Sequence, residues 1–172
     1  MKTIRVIVLF AVALGQAALV HAEFRAGIAV RVVTPEPLLP VSGGVGPSNP
    51  VTKKQGDLTV RAMVLESGGT RVVFVSTDFL GFPAVLGDRV RRQVKSIPPG
   101  HILIGATHTH SAPDCYGFPN GRGGTDADLE YLNFVCNKAA EAVNEAIAGL
   151  EPASIRIATG KANGKIAYNY YA

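Results

Sequence analysis

The sequence predicts an α/β fold: a mixed β-sheet flanked by helices, in a single domain that is incomplete by itself. Three observations carry this expectation. Strand-like runs at Arg71–Thr77, His101–Ala106 and Ser154–Ala158 are separated by stretches of helical spacing, which is how parallel strands are connected. Leu58–Glu66 and Arg71–Thr77 are joined by Ser67-Gly-Gly-Thr70, a hairpin signal that makes this pair antiparallel. Of the 172 residues, the 150 that follow an apolar N-terminal segment suffice for one domain with its own core.

That N-terminal segment has its own logic. Lys2 and Arg5 give a positive start, Val6–Val20 is almost wholly apolar, and Val20-His21-Ala22 places compact residues where a signal peptidase reads. The apolar run is shorter than the roughly 20 residues of a membrane span. Residues 1–22 therefore read as a signal peptide, cleaved after Ala22 for export to a periplasmic or extracellular compartment; an uncleaved anchor is the rival reading. Lys2 and Arg5 leave with it and no acid does, so the net charge falls from +4 to +2. So weak a surplus is not a nucleic-acid surface. The densest basic cluster, Arg89, Arg91 and Arg92, has the spacing of a solvated helix face.

The elements follow in order. Arg25–Val33 is rich in β-branched residues and runs into Thr34-Pro-Glu-Pro, where prolines end a ladder because they cannot donate. From Pro35 to Gly56, prolines alternate with glycines. Such a long irregular excursion often shapes a site, with disorder as the alternative. After the hairpin, Ala84–Ile97 has helical spacing and is closed by Pro98-Pro99-Gly100. His101–Ala106 is a strand, and Tyr116–Gly124 a Gly-rich loop. Thr125 with Asp128 makes a capping-box-like start to a helix whose apolar face is Leu129, Leu132, Val135 or Cys136, Ala139, Val143, Ile147 and Leu150. A last strand is expected at Ser154–Ala158, where it can lie parallel to those at 71–77 and 101–106.

In such sheets, ligands gather beyond the carboxyl ends of strands. Asp78 sits where one strand runs out, and Ala106-Thr-His-Thr-His-Ser-Ala-Pro113 where another does. Residues at i and i+2 of an extended chain point to one side, so His108 and His110 are expected to face one cavity, and imidazole nitrogen suits zinc. The other reading is a hydrogen-bonded pair with one ring packed in the core. Nucleophile chemistry has less support. Ser111 is adjacent to His110 and so points away from it, no GxSxG elbow is present, and Cys115 needs a histidine within hydrogen-bond reach. Cys115 and Cys136 are the only cysteines. An exported chain can join them, or leave Cys136 a buried helix residue and Cys115 a free thiol.

Arg25-Ala-Gly opening a strand, a Gly-rich loop, Val72-Val-Phe-Val-Ser-Thr-Asp78 and above all Ala106-Thr-His-Thr-His-Ser-Ala-Pro113 resemble the N-terminal part of neutral, non-lysosomal ceramidases. The resemblance spans roughly Arg25 to Tyr170. It implies a secreted or membrane-associated zinc amidase that hydrolyses ceramide to sphingosine and a fatty acid. The expected partners are thus a lipid or other N-acyl amide substrate, with peripheral membrane contact. His108 matches a zinc ligand and His110 a second active-site histidine; Asp78 is the further candidate catalytic group.

The sequence also departs from that family. Its remaining ligands, a histidine, a glutamate and a tyrosine, lie much further along, and no histidine follows His110 here. Tyr168-Asn169-Tyr170 falls where the family carries an Asn-Arg segment, without the arginine. Residues 23–172 are therefore expected to be the N-terminal part of a longer ceramidase-like domain. The alternative is a catalytically silent exported domain that binds a ligand or partner.

Overall fold

The computed structural model describes residues 23–161. Five strands and two main helices follow one another: β1 (Arg25–Val32), β2 (Thr59–Ser67), β3 (Thr70–Thr77), α1 (Ala84–Gln93), β4 (Ile102–Ala106), α2 (Leu129–Ala148) and β5 (Glu151–Pro152). They form one sheet in the order β4-β3-β2-β1-β5. β3 and β4 are parallel and all other pairs antiparallel. The mixed α/β sheet expected from the sequence is present.

The hairpin closes as its glycines require. Gly68 and Gly69 have φ of 55° and 77°, and Ser67 pairs with Thr70 across them. Two successive positive-φ residues match the twist of the flanking strands, and glycine adopts them without a Cβ penalty. Glu66 then bridges Arg25 and Arg71 at 3.3 and 2.5 Å, tying β1, β2 and β3 at one end.

Both helices pack on one face of the sheet. The period-2 pattern of the strands buries Ala29, Val60, Ala62, Val64, Val73 and Val75 against them. α2 contributes Leu132, Val135, Cys136, Ala139 and Val143, as its 3.6-residue period predicts, together with Tyr131, and Leu150 follows just beyond its end. Tyr131 is kept in the core by its hydroxyl, which donates to the carbonyl of Val33 at 2.7 Å. Leu129, expected on the apolar face, is exposed. Alanines at 139, 142 and 146 let the helix settle close to β1. A Cβ on Gly27 would overlap the carbonyl oxygen of Ala146.

Three boundaries differ from expectation. α2 begins one turn later than Thr125 suggests, because Asp128 is the cap, its carboxylate accepting from Tyr131 N at 2.8 Å. Thr125 instead accepts from Ala127 N within the preceding turn. α1 ends at Gln93, although Val94 and Ile97 stay buried beyond it. The last strand is not at Ser154–Ala158, nor is it parallel. Leu150 is buried directly after the helix, so the chain meets the sheet edge at once. Glu151 and Pro152 pair antiparallel with Ala26 and Arg25, and Ala153 N reaches Phe24 O at 2.9 Å. There β1 has run out, and Ser154–Lys161 continues exposed and without regular structure. The signal-peptide reading and Tyr168–Tyr170 lie outside the described residues.

Candidate active site at the strand ends

β3 and β4 end side by side, with Thr77 opposite Ala106. The junction is locked twice. The Thr77 hydroxyl donates to Gly105 O at 3.1 Å and Thr107 N to Thr77 O at 3.0 Å. In such sheets ligands gather beyond this end of the strands.

His108 and His110 converge there, though not by the extended geometry expected. β4 stops at Ala106 and His108 has φ 64°, a left-handed conformation that costs a non-glycine residue roughly 1–2 kcal/mol. The turn brings the two rings to a 5.2 Å centroid separation at an interplanar angle of 74°. His108 Nδ1 lies 2.6 Å from the carbonyl oxygen of Leu80, in the segment after β3. A carbonyl can only accept, so Nδ1 carries the proton, which makes Nε2 the nitrogen open to a ligand in the neutral ring. Metal-binding histidines are held by the same second hydrogen bond. Both rings are exposed. His101 lies at the opposite end of β4 on Arg71 O, away from this pair.

Asp78 follows Thr77 directly. Its carboxylate accepts from Thr59 N at 2.9 Å and Thr59 Oγ1 at 2.8 Å, and from both terminal nitrogens of Arg61 at 3.2 Å. Partial burial opposes ionisation, but the bonds from Thr59 and Arg61 outweigh it and hold the carboxyl below its ordinary range. Both oxygens are thereby engaged in fastening the end of β3 to the start of β2. Among the described residues, no three His, Cys, Asp or Glu side chains converge as a metal-binding group. The imidazole pair fits part of a zinc site, with His108 oriented for it.

The Pro/Gly excursion does shape this region. Ser42 N donates to Ala112 O at 2.8 Å, and Ser48 N to Asp126 Oδ2 at 2.9 Å. These bonds lay the loop over the histidine segment. Gly43 is pressed so close that an added Cβ would stand 3.1 Å from the Cβ of His110. Beside it opens a cleft of about 350 Å³ whose lining combines Leu39, Val41, Val51 and Leu58 with Lys53 and Ser111. Its size suits a small-molecule ligand.

Two further groups escaped the sequence reading. Asp114 is fully buried, and its carboxylate gathers the amides of Tyr116, Gly117 and Phe118 at 2.8, 3.1 and 2.8 Å. That bonding sets the loop on which Tyr116 stacks against Phe118 with centroids 5.2 Å apart. An Asp opening a Gly-containing turn was the available signal. Leu80 acts through its carbonyl, which no side-chain pattern reports. Cys115 donates to Gly81 O at 3.1 Å, and burial pushes its thiol up to about 11. Such a thiol is protonated at neutral pH and is no nucleophile. Cys136 is buried behind α1, its thiol toward Leu86 O, and both cysteines are free.

An open α/β sheet carrying an oriented histidine pair at its strand ends is an architecture that hosts ligand sites in a crevice. Solved structures share the fold. A ceramidase complexed with C2 is 22% identical, with a TM-score of 0.61 over 76% of this chain and 22% of its own. The neutral ceramidase from Pseudomonas aeruginosa is likewise 22% identical, with a TM-score of 0.59 and the same coverage. The chain thus has a ceramidase-like fold and spans about a fifth of those proteins' length. No family model and no curated protein sequence matches it.

Proposed function

We infer that the chain supplies the strand-end portion of a zinc-dependent amide hydrolase site of the ceramidase type, in an exported protein. The observation that carries this reading is the 2.6 Å bond from His108 Nδ1 to Leu80 O, which leaves Nε2 as the ring nitrogen for a ligand, with the His110 ring 5.2 Å away. In this reading His108 would hold the metal through Nε2. When bound, zinc supplies Lewis acidity toward the amide carbonyl. His110, exposed and with its ring 5.2 Å from that of His108, would pass a proton to the departing amine. Asp78 serves by anchoring the end of β3. The cleft that Ser111 helps to line suits the acyl part of a lipid amide through its leucines and valines, and the remaining ligands would come from polypeptide outside residues 23–161.

Zinc titration by calorimetry, with hydrolysis of a fluorescent N-acyl sphingosine, tests the reading. Zinc uptake that is lost in His108→Ala supports it; no uptake, or equal uptake by both forms, overturns it. Amino-terminal sequencing of the exported protein should begin at Glu23.

A second reading, a silent exported domain that binds a ligand or partner, is favoured by the lack of a third converging ligand among the described residues. It is adopted if the protein folds, takes up no zinc and leaves the amide intact.

A further inference from the structure

The carbonyl that holds His108 is itself held. Leu80 and Gly81 lie between Phe79, which is fully buried, and Phe82, whose ring centroid is 6.1 Å from that of Phe79. No backbone amide among the described residues reaches either carbonyl of the pair. Side chains from the segment after β4 meet them instead: His108 Nδ1 stands 2.6 Å from Leu80 O, and Cys115 Sγ 3.1 Å from Gly81 O. Tyr116 closes on the same point. A Cβ on Gly81 would overlap its hydroxyl oxygen and stand 2.6 and 2.9 Å from Cζ and Cε2. The phenol thus fills the space that a side chain at position 81 would take.

We propose that Tyr116 is a positioning residue for His108, acting through the Leu80–Gly81 peptide. The role rests on the reading of His108 as a metal ligand. The link is the peptide plane. Leu80 C and O share one plane with Gly81 N and Cα, so whatever fixes Gly81 Cα fixes the direction of the Leu80 oxygen. Glycine has the widest backbone freedom of any residue, and unrestrained it would let that plane swing. Tyr116 restrains it from one side, and the Cys115 thiol holds the next carbonyl. The phenol is aimed by its own loop: Tyr116 N donates to Asp114 Oδ1 at 2.8 Å, and the ring stacks on Phe118 at 29°. Tyr116 is half exposed, so core burial does not account for this placement. With the plane held, the proton stays on Nδ1 and Nε2 faces a ligand.

The imidazole nitrogen shifts of His108 test this, read by long-range proton–nitrogen correlation on the metal-free protein at alkaline pH, where histidine is neutral. The wild type should show the Nδ1-protonated tautomer. Tyr116→Ala should convert it to a mixture of both tautomers, while Tyr116→Phe keeps the ring over Gly81 and the wild-type signal. Gly81→Ala reaches the contact from the other side. Its methyl displaces the phenol and should also give the mixture, yet add nothing in the Tyr116→Ala background. His101, on Arg71 O at the far end of β4, should keep its shifts throughout. Zinc affinity by calorimetry should fall about tenfold in Tyr116→Ala and in Gly81→Ala, the lower end of what losing a ligand's outer partner costs. A wild-type tautomer retained in Tyr116→Ala or in Gly81→Ala overturns the proposal. So does movement of His101 together with His108, which would mean a general loosening of the fold. Failure of the hydrolase reading has a separate signature: no form takes up zinc, while the His108 tautomer still follows Tyr116, which supports the positioning alone.

Discussion

His108 is fixed by the carbonyl of Leu80, 2.6 Å from its Nδ1, while its own backbone sits at φ 64°. The side chain is tethered to the segment after β3 and the backbone is strained, a combination that belongs to functional sites. The two contributions are separable by substitution. His108→Gly and His108→Ala should both abolish zinc uptake. The glycine variant should be the more stable of the two by about 1 kcal/mol, since only glycine takes this conformation freely. Urea denaturation beside zinc calorimetry measures both; equal stabilities would mean the backbone strain is absent.

The Gly43 contact makes a different claim on the same site. A methyl there would stand 3.1 Å from His110 Cβ, while one at Gly44 meets nothing within 4 Å. Gly43→Val should therefore displace the His110 ring and cost about 1–3 kcal/mol, as overpacking does. Gly44→Ala should change little. The chemical shifts of the two imidazoles report the displacement: movement of His110 without movement of His101 is the expected pattern.

Much of this was legible in the sequence, and the limits are instructive. Period-2 and period-3.6 patterns located β1 to β4 and both helices, because burial on one face leaves a repeat. The same patterns misplaced the final strand, since Ile155 and Ile157 have strand chemistry but β1 ends before it can partner them. The histidine pair was found from residue type and spacing. Its real geometry was not, because convergence comes from a left-handed residue and a backbone carbonyl 28 residues earlier. Asp114 was missed for a related reason: its partners are backbone amides, which every residue has.

Gly27 shows how a residue without a side chain can set a layer distance. A Cβ there overlaps the carbonyl of Ala146, and neither strand backbone nor helix backbone can yield locally. Gly27→Ala should cost about 2–3 kcal/mol, the upper part of the overpacking range, and shift the thermal midpoint down by several degrees. A loss below about 0.5 kcal/mol, the usual size for a harmless surface change, would show that α2 does not press on β1.

Asp78 predicts a pH dependence of definite sign. Its folded pKa is lowered, so ionised Asp78 stabilises the fold fully above the ordinary carboxylate range near about 3.9, and that contribution is lost as pH falls through the lower folded value. Asp78→Asn removes it at every pH. The stability gap between wild type and Asp78→Asn should thus be widest at neutral pH and narrow as acid is added. Paired urea titrations measure the gap; a difference that grows with acidification would reverse the assignment.

Asp114 gives the last prediction, and its size follows from counting donors. Three amides, those of Tyr116, Gly117 and Phe118, converge on one buried carboxylate. Asp114→Ala leaves all three without that acceptor, and a buried unsatisfied group costs about 1–3 kcal/mol. The loop can relax to re-pair some of these amides, so a total of about 3 kcal/mol is expected rather than three full penalties. Asp114→Asn keeps one accepting oxygen, which can serve Tyr116 N and Gly117 N, but turns an NH2 donor toward Phe118 N, so it should lose less than Asp114→Ala while still destabilising the loop. Hydrogen exchange should rise first at residues 116–118 in both variants. If exchange there stayed at the wild-type rate while the protein remained folded, Asp114 would not be what holds the loop.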